Sequence, residues 1–190
     1  MAADIRNLLK LECSYCLSDA IMDRFLSGAN ILELKKGESI IRTGETDTNV
    51  YILADGIMRE WYWNGEKEVT AFFLAAGTLF ISYHSYYFGK ESFYTFEACT
   101  PVRLLKFSKQ YYDSLIRESH EFAQWALSMA QCQIFFFEMK NRVINGTAKE
   151  KYLALLKNRP EILRSVSLTI ISSYLGVTPQ YLSKLRKTLS

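Results

Sequence analysis

Histidine and proline are scarce in this chain, at two and three residues in 190. His84 and His120 are too few and too far apart to build a histidine-based metal centre. No G-x-S-x-G, H-E-x-x-H or phosphate-binding P-loop pattern occurs, which leaves hydrolytic and phosphoryl-transfer chemistry without its usual residues. Four cysteines do not make a disulfide scaffold. Cys13 and Cys16 form one C-x-x-C. Cys99 and Cys132 stand alone, so no second pair completes a zinc site. Long apolar runs are missing too. The densest, Ile134 to Phe137, is followed at once by charges and falls far short of the roughly 20 residues that span a bilayer. The first residues, Met1 to Arg6, lack the basic-then-apolar layout of a signal peptide. With 49% hydrophobic and 23% charged residues, the composition is globular rather than disordered. The expectation is a cytoplasmic protein that is not an enzyme, with no cofactor, no metal and no membrane partner.

Charge is abundant but unevenly placed. The net value is +3, yet from Lys140 onward ten Lys and Arg face only two acids, Glu150 and Glu161. The remaining chain is acidic. A basic C-terminal quarter on an acidic body suggests nucleic acid, because lysine and arginine release counterions condensed on phosphates. A solvated basic face is the plainer alternative.

The pattern along the chain changes twice. Residues 1–28 read as helical, with Ile5, Leu8, Leu9 and Leu11 in one cluster, Ser18 as a cap and Gly28 as a stop. Residues 31–107 then alternate short β-rich runs with Gly37, Gly44, Gly56, Gly65, Gly77 and Gly89. Such spacing predicts a sandwich or barrel. Asn64-Gly65 predicts a type I′ hairpin, which needs positive φ twice. From Ser108 the helical period returns. A short helix is predicted over 109–117 and a long one after Ser119. The long one has an apolar side broader than one packing face requires, so it is expected to pair with a second copy. Thr147 and Glu150 form a capping box for a helix to about Asn158. The domains expected are 1–118, 119–146 and 147–190.

The segment from Ser167 to Lys187 reads as helix–turn–helix. Ile171 and Leu175 share a buried face, and Ser172 is small where helices cross. Gly176 ends the first helix, Val177 plugs the turn, Thr178 caps the second helix and Pro179 takes its first position. At 100° per residue, Leu182, Leu185 and Leu189 face inward. Gln180, Ser183, Lys184 and Lys187 then face outward, flanked by Tyr181 and Arg186. That face suits a major groove, where glutamine pairs with adenine and lysine reaches guanine or phosphate. The set expected on DNA is Thr178, Pro179, Gln180, Tyr181, Ser183, Lys184, Arg186 and Lys187. The alternative is a surface helical hairpin on a sensor or scaffold that does not bind DNA.

The chain resembles the Crp/Fnr family of bacterial transcription regulators over nearly its whole length. Lys36 to Glu45 (KGESIIRTGE) and Val50 to Gly56 (VYILADG) match the family's roll. Thr147 to Pro160 and Ile171 to Arg186 are similar to its Bacteroidetes-type members. The resemblance implies an α+β fold: a β-roll of the double-stranded β-helix or jelly-roll type with flanking helices, a long dimerisation helix and a C-terminal winged helix–turn–helix. It implies a homodimer on a palindromic operator of double-stranded DNA, contact with RNA polymerase, and a small-molecule effector. By the same resemblance, the base-reading positions fall on Pro179, Gln180 and Lys184; Pro179 cannot make the family's arginine contact, so the operator is expected to differ.

Members of the family that bind cyclic AMP carry a glutamate for the ribose and an arginine for the cyclic phosphate. Here Gly77-Thr78-Leu79-Phe80 lacks the glutamate, and Glu91 stands where the arginine would be. Lys90 is the nearest replacement. The effector is therefore expected not to be cyclic AMP and to meet Thr78, Tyr83, Lys90, Glu91 and Ser92. The eight aromatics between Phe80 and Phe96 are expected to fill the roll and pack on the long helix. Cys13, Cys16 and Cys99 resemble part of the iron–sulfur ligand set of the family's oxygen-sensing branch, with too few ligands to complete it; reduced structural cysteines are the preferred reading.

Overall fold

The structure, a computed structural model, describes residues 5–9, 15–144 and 146–189. Leu11 and Cys13 lie outside the described residues, as do the side chains of Phe136, Met139, Lys140, Val143 and Leu189.

Among the described residues, eight strands form two antiparallel four-stranded sheets that face each other. They are β1 (Asn30–Leu34), β2 (Ser39–Ile41), β3 (Val50–Asp55), β4 (Ile57–Trp63), β5 (Glu68–Ala75), β6 (Leu79–Phe80), β7 (Thr95–Ala98) and β8 (Val102–Phe107). One sheet has the order β1-β8-β3-β6 and the other β2-β7-β4-β5. Period-two alternation divides the strands between cores. On β3, Tyr51 and Leu53 enter the lumen with Met58, Phe80, Phe96 and Leu104. Val50 and Ile52 point the other way, with Leu105 and Phe107. Within the lumen Phe80 stacks between Tyr51 and Phe96, at 5.3 and 5.2 Å between centroids.

Helices cover the outside of both sheets. The first sheet is covered by α1 (residues 5–9), α2 (Asp19–Ser27), α4 (Lys109–Glu118) and the first half of α5 (His120–Ile144). There Phe25, Phe107, Tyr112, Phe122 and Trp125 form one aromatic cluster. Ser18 does not cap α2 as expected: its hydroxyl meets the Glu121 carboxylate at 3.0 Å instead, tying α2 to the start of α5. The short α3 (Tyr83–Phe88) interrupts the roll between β6 and β7. It ends at Gly89 in the left-handed conformation, with φ of 61°.

The second sheet is covered by the C-terminal helices α6 (Ala148–Asn158), α7 (Pro160–Ser165), α8 (Leu168–Leu175) and α9 (Pro179–Leu189). Ile57 and Cys99 join the core these helices make from Tyr152, Leu155, Ile162, Ile171, Leu175 and Leu182. The Phe73 and Tyr174 rings lie 5.1 Å apart across the same interface. Arg59 is 4% exposed on this face and is held by Glu97 at 3.0 and 3.1 Å and by Glu68 at 2.7 Å. Burial opposes its charge, but the two carboxylates outweigh that and raise its pKa.

Two expectations are corrected and a third is not shown. Among the described residues no strand follows β8, so no wing is seen there, and the elements of 148–189 are all helices. The β4–β5 hairpin forms, but Asn64 has negative φ and only Gly65 is positive, at 98°. Asn64 instead accepts from the Glu66 and Lys67 amides at 3.0 Å, and this Asx geometry replaces the type I′ turn. The aromatics of 80–96 do not all fill the roll: Tyr83, Tyr87 and Phe88 are exposed because α3 lifts them off the lumen, and Phe93 is exposed in the segment before β7, stacked on His84.

Candidate functional site

Two features of the molecule are candidate binding surfaces. The first is the outer face of α9. Helix α8 is capped by Ser167, whose hydroxyl accepts from the Ile170 amide at 3.4 Å. It ends at Gly176 with φ of 72°, a conformation that glycine adopts without penalty. Thr178 starts α9, its hydroxyl accepting from the Tyr181 amide at 3.2 Å. Leu182 is fully buried and Leu185 partly so, which turns the opposite face outward. Gln180, Tyr181, Ser183, Lys184 and Lys187 are all exposed there, with Thr178 at the helix start and Pro179 half-buried beside it.

Arg186 departs from its expected place. Its guanidinium donates to the Leu163 carbonyl at 3.3 Å and stands 5.9 Å over the Tyr152 ring. It packs α9 onto α6 and α7. The signal that places it is in the sequence: at 100° per residue it falls about 40° from Leu182, on the inner half of the helix.

The second feature is a cavity of about 550 Å3 between the roll, α5 and the C-terminal helices. Phe72, Phe73 and Leu74 of β5, Leu79, and Met129, Ala130, Ile134 and Phe137 of α5 give it an apolar wall. Glu60, Thr78, Tyr83, Tyr94, Cys132, Gln133 and Arg159 add polar atoms. The Tyr83 hydroxyl donates to Gln133 Oε1 at 2.8 Å, joining α3 to α5. Its ring is half exposed, but burial of the hydroxyl end, together with Tyr87 and Glu60, pushes its pKa up to about 12. Gln133 donates in turn to the Leu79 carbonyl.

Of the five residues expected to meet an effector, Thr78 and Tyr83 line this cavity. Lys90, Glu91 and Ser92 do not. They line a separate concavity with Thr43, Gly44, Thr46, His84 and Phe93. The cause is the turn after α3. His84 Nδ1 meets the Glu91 carbonyl at 2.7 Å and its ring stacks on Phe93 at 4.2 Å. The Ser85 hydroxyl donates to the Lys90 carbonyl at 2.8 Å. These bonds fold the loop back over α3 and leave the Lys90 and Glu91 side chains in solvent. Sequence reasoning missed Arg159, which reaches the cavity from the C-cap of α6. Nothing local in the sequence marks it.

Cys16 is exposed and Cys99 is buried against the C-terminal helices. Burial pushes the Cys99 thiol up to about 12, with Glu97 adding to it and Arg59 and Lys36 opposing. That is the reverse of what a thiolate ligand needs. Among the described residues no helix is long and apolar enough to cross a membrane.

Residues 31–119 match the cyclic nucleotide-binding domain family. No curated protein matches the sequence. Among solved structures, FixK2 from Bradyrhizobium japonicum is similar with a TM-score of 0.71 at 18% identity, over 85% of this chain and 84% of that one. The global regulator CLP of Xanthomonas campestris, described as c-di-GMP-responsive, gives 0.68 at 12% identity, over 90% and 91%. The catabolite activator protein of Thermus thermophilus gives 0.55 at 22% identity, over 91% and 84%. At such identities the likeness concerns the fold, which this chain shares with them along most of its length, with a cyclic nucleotide-binding-type roll over residues 31–119.

Proposed function

We propose that this protein is a homodimeric, DNA-binding transcription regulator whose roll responds to a small molecule other than cyclic AMP. The observation that carries the reading is the outer face of α9. Gln180, Ser183, Lys184 and Lys187 are exposed together on a helix seated by Leu182, in the part of the chain where basic residues outnumber acids by ten to two. Such a helix presents amide and ammonium donors to base edges and phosphates.

A second face supports the dimer. Phe122, Trp125 and Met129 bury one side of α5 on the roll, while Leu127 and Phe135 leave the other side 53–56% exposed. An apolar stripe opposite a buried one fits a paired helix. Two-fold pairing would set two α9 helices about 34 Å apart, one turn of DNA. The case against cyclic AMP rests on Thr78, which stands where the family's ribose carboxylate would be, and on the Lys90–Glu91 turn, which brings no arginine for the phosphate and lies in a separate concavity.

The test is an electrophoretic shift on an operator selected from random DNA, titrated with salt. Lys184→Ala and Gln180→Ala are expected to weaken specific binding by about 1–3 kcal/mol each. Lys187→Ala is expected to weaken all sequences alike and to flatten the salt slope. Unchanged affinity in all three would overturn the reading and favour a sensor that does not bind DNA. Calorimetry with cyclic AMP at tens of micromolar is expected to show no heat. Light scattering at micromolar concentration is expected to show a dimer of the 22.0 kDa chain.

A further inference from the structure

Most polar groups around the 550 Å3 cavity already have work. Both ends of the Gln133 amide are used, by the Tyr83 hydroxyl and the Leu79 carbonyl. Glu60 acts on the Tyr83 and Tyr94 hydroxyls, raising the pKa of each after burial has done so. Arg159 is different. It lines the cavity from the junction of α6 and α7, and only its backbone is bonded, the amide to the Leu155 carbonyl and the carbonyl to the Ile162 amide. Among the described residues its guanidinium has no hydrogen-bond or ion-pair partner.

A guanidinium with no anion beside an apolar wall is one half of a recognition pair. Its planar fork matches a carboxylate or a similar oxyanion with two parallel hydrogen bonds. The wall next to it is Phe72, Phe73, Ile134 and Phe137, which offers ring faces and aliphatic carbon but few partners for hydroxyls. That surface suits an aromatic or branched hydrocarbon body.

We propose that this cavity takes an amphipathic monoanion, an apolar body bearing one carboxylate-like group, whose charge is held by Arg159. The proposal rests on the reading of the cavity as the effector site and names the class of molecule for it. It also carries a consequence for signalling. The body would lie on the roll and α5, while the charge would be held by the helical C-terminal unit. One molecule would therefore bridge the sensing and DNA-facing parts directly.

The experiment uses the full chain and two fluorescent probes of similar shape, anionic 1-anilinonaphthalene-8-sulfonate and uncharged N-phenyl-1-naphthylamine. Both are expected to bind saturably. Arg159→Gln is expected to raise the dissociation constant of the sulfonate about tenfold, the scale of a charge-assisted pair at a half-exposed site, and to leave the neutral probe within twofold. Arg159→Lys is expected to restore only part of the sulfonate binding, because it returns the charge without the fork. Ala130→Phe, which fills the cavity from an exposed position on α5, is expected to weaken both probes. If Arg159→Gln leaves the sulfonate unchanged, selection by charge is overturned while the cavity stands. If neither probe saturates, or if Ala130→Phe affects neither, the effector reading of the cavity fails as well.

Discussion

The hydroxyls of Thr70 on β5 and Ser173 on α8 stand 2.6 Å apart, a bond between residues 103 apart in sequence. Its direction can be assigned. Ser173 also lies 2.8 Å from the Ile170 carbonyl and has one proton, which goes there, so Thr70 is the donor. Thr70 is 3% exposed, and its hydroxyl joins the roll to the first helix of the C-terminal pair. Thr70→Val keeps the shape and removes the donor. It is expected to destabilise the chain by about 1 kcal/mol, since Ser173 keeps its own carbonyl and neither partner is left wholly unpaired. Urea unfolding of Thr70→Val, Ser173→Ala and the double variant would give the coupling. A coupling near zero would show that the apolar contacts alone, Phe73 against Tyr174 among them, hold this interface.

A second prediction concerns acid. Lys109, Asp113 and Tyr86 form a triangle that pins α3 to α4. The ammonium meets the carboxylate at 2.6 Å and lies 3.9 Å over the Tyr86 ring, whose hydroxyl donates to Asp113. Burial raises the Asp113 carboxyl, but the Lys109 and Tyr86 bonds outweigh it and hold the pKa below its ordinary value. A depressed carboxylate stabilises the fold above its unfolded pKa of about 3.9 and loses that contribution as pH falls through the folded value. Asp113→Asn is therefore expected to be less stable than the natural chain at pH 6, with the difference shrinking below about pH 4. Thermal melts across that range decide it. A difference that stays constant with pH would mean the triangle acts by shape rather than charge.

The cysteines should separate by reactivity. Cys16 is exposed, whereas the Cys99 thiol is buried and raised to about 12. Iodoacetamide at pH 8 is expected to label Cys16 in the folded protein and Cys99 only after unfolding, because the thiolate is the nucleophile. Peptide mapping by mass spectrometry reads both sites. Prompt native labelling of Cys99 would indicate that the C-terminal helices lift off the roll.

Which parts of this molecule were legible in sequence follows from how local their causes are. The Thr147–Glu150 capping box, the Gly176 stop and the Thr178 cap all form as predicted, since each is decided within four residues. Glycine spacing and β-rich runs mark 31–107 as the strand region, as the structure has it, but not each strand within it. Asn30-Ile31-Leu32-Glu33-Leu34 carries no turn signal that would mark it as a strand by itself, and pairing with β8 decides its state. Helix α3 was hidden inside an aromatic run whose residues suit either state. The effector set divided because His84 and Ser85 hold the Lys90–Glu91 backbone, and that folding back needs the whole loop. Arg159 became part of the cavity only through the docking of α6 near the roll and α5.

The last prediction separates Arg186 from its neighbour Lys187, which sequence alone placed on the same binding face. Arg186 points inward, bonded to the Leu163 carbonyl and resting on Tyr152, while Lys187 is exposed. Removing Arg186 frees a carbonyl inside the helical unit and deletes aliphatic packing, so Arg186→Ala is expected to destabilise the protein by about 1–2 kcal/mol. Lys187→Ala removes only a solvated charge and is expected to change stability by less than about 0.5 kcal/mol. DNA affinity is expected to behave in the opposite way. The salt slope of binding should fall for Lys187→Ala and hold for Arg186→Ala at temperatures where both are folded, because only a side chain that reaches phosphate releases a counterion. Denaturant unfolding and salt-titrated binding on the same two variants give both halves. A reduced slope with unchanged stability for Arg186→Ala would mean that its guanidinium swings outward to DNA and that the contact with Leu163 belongs to the free protein alone.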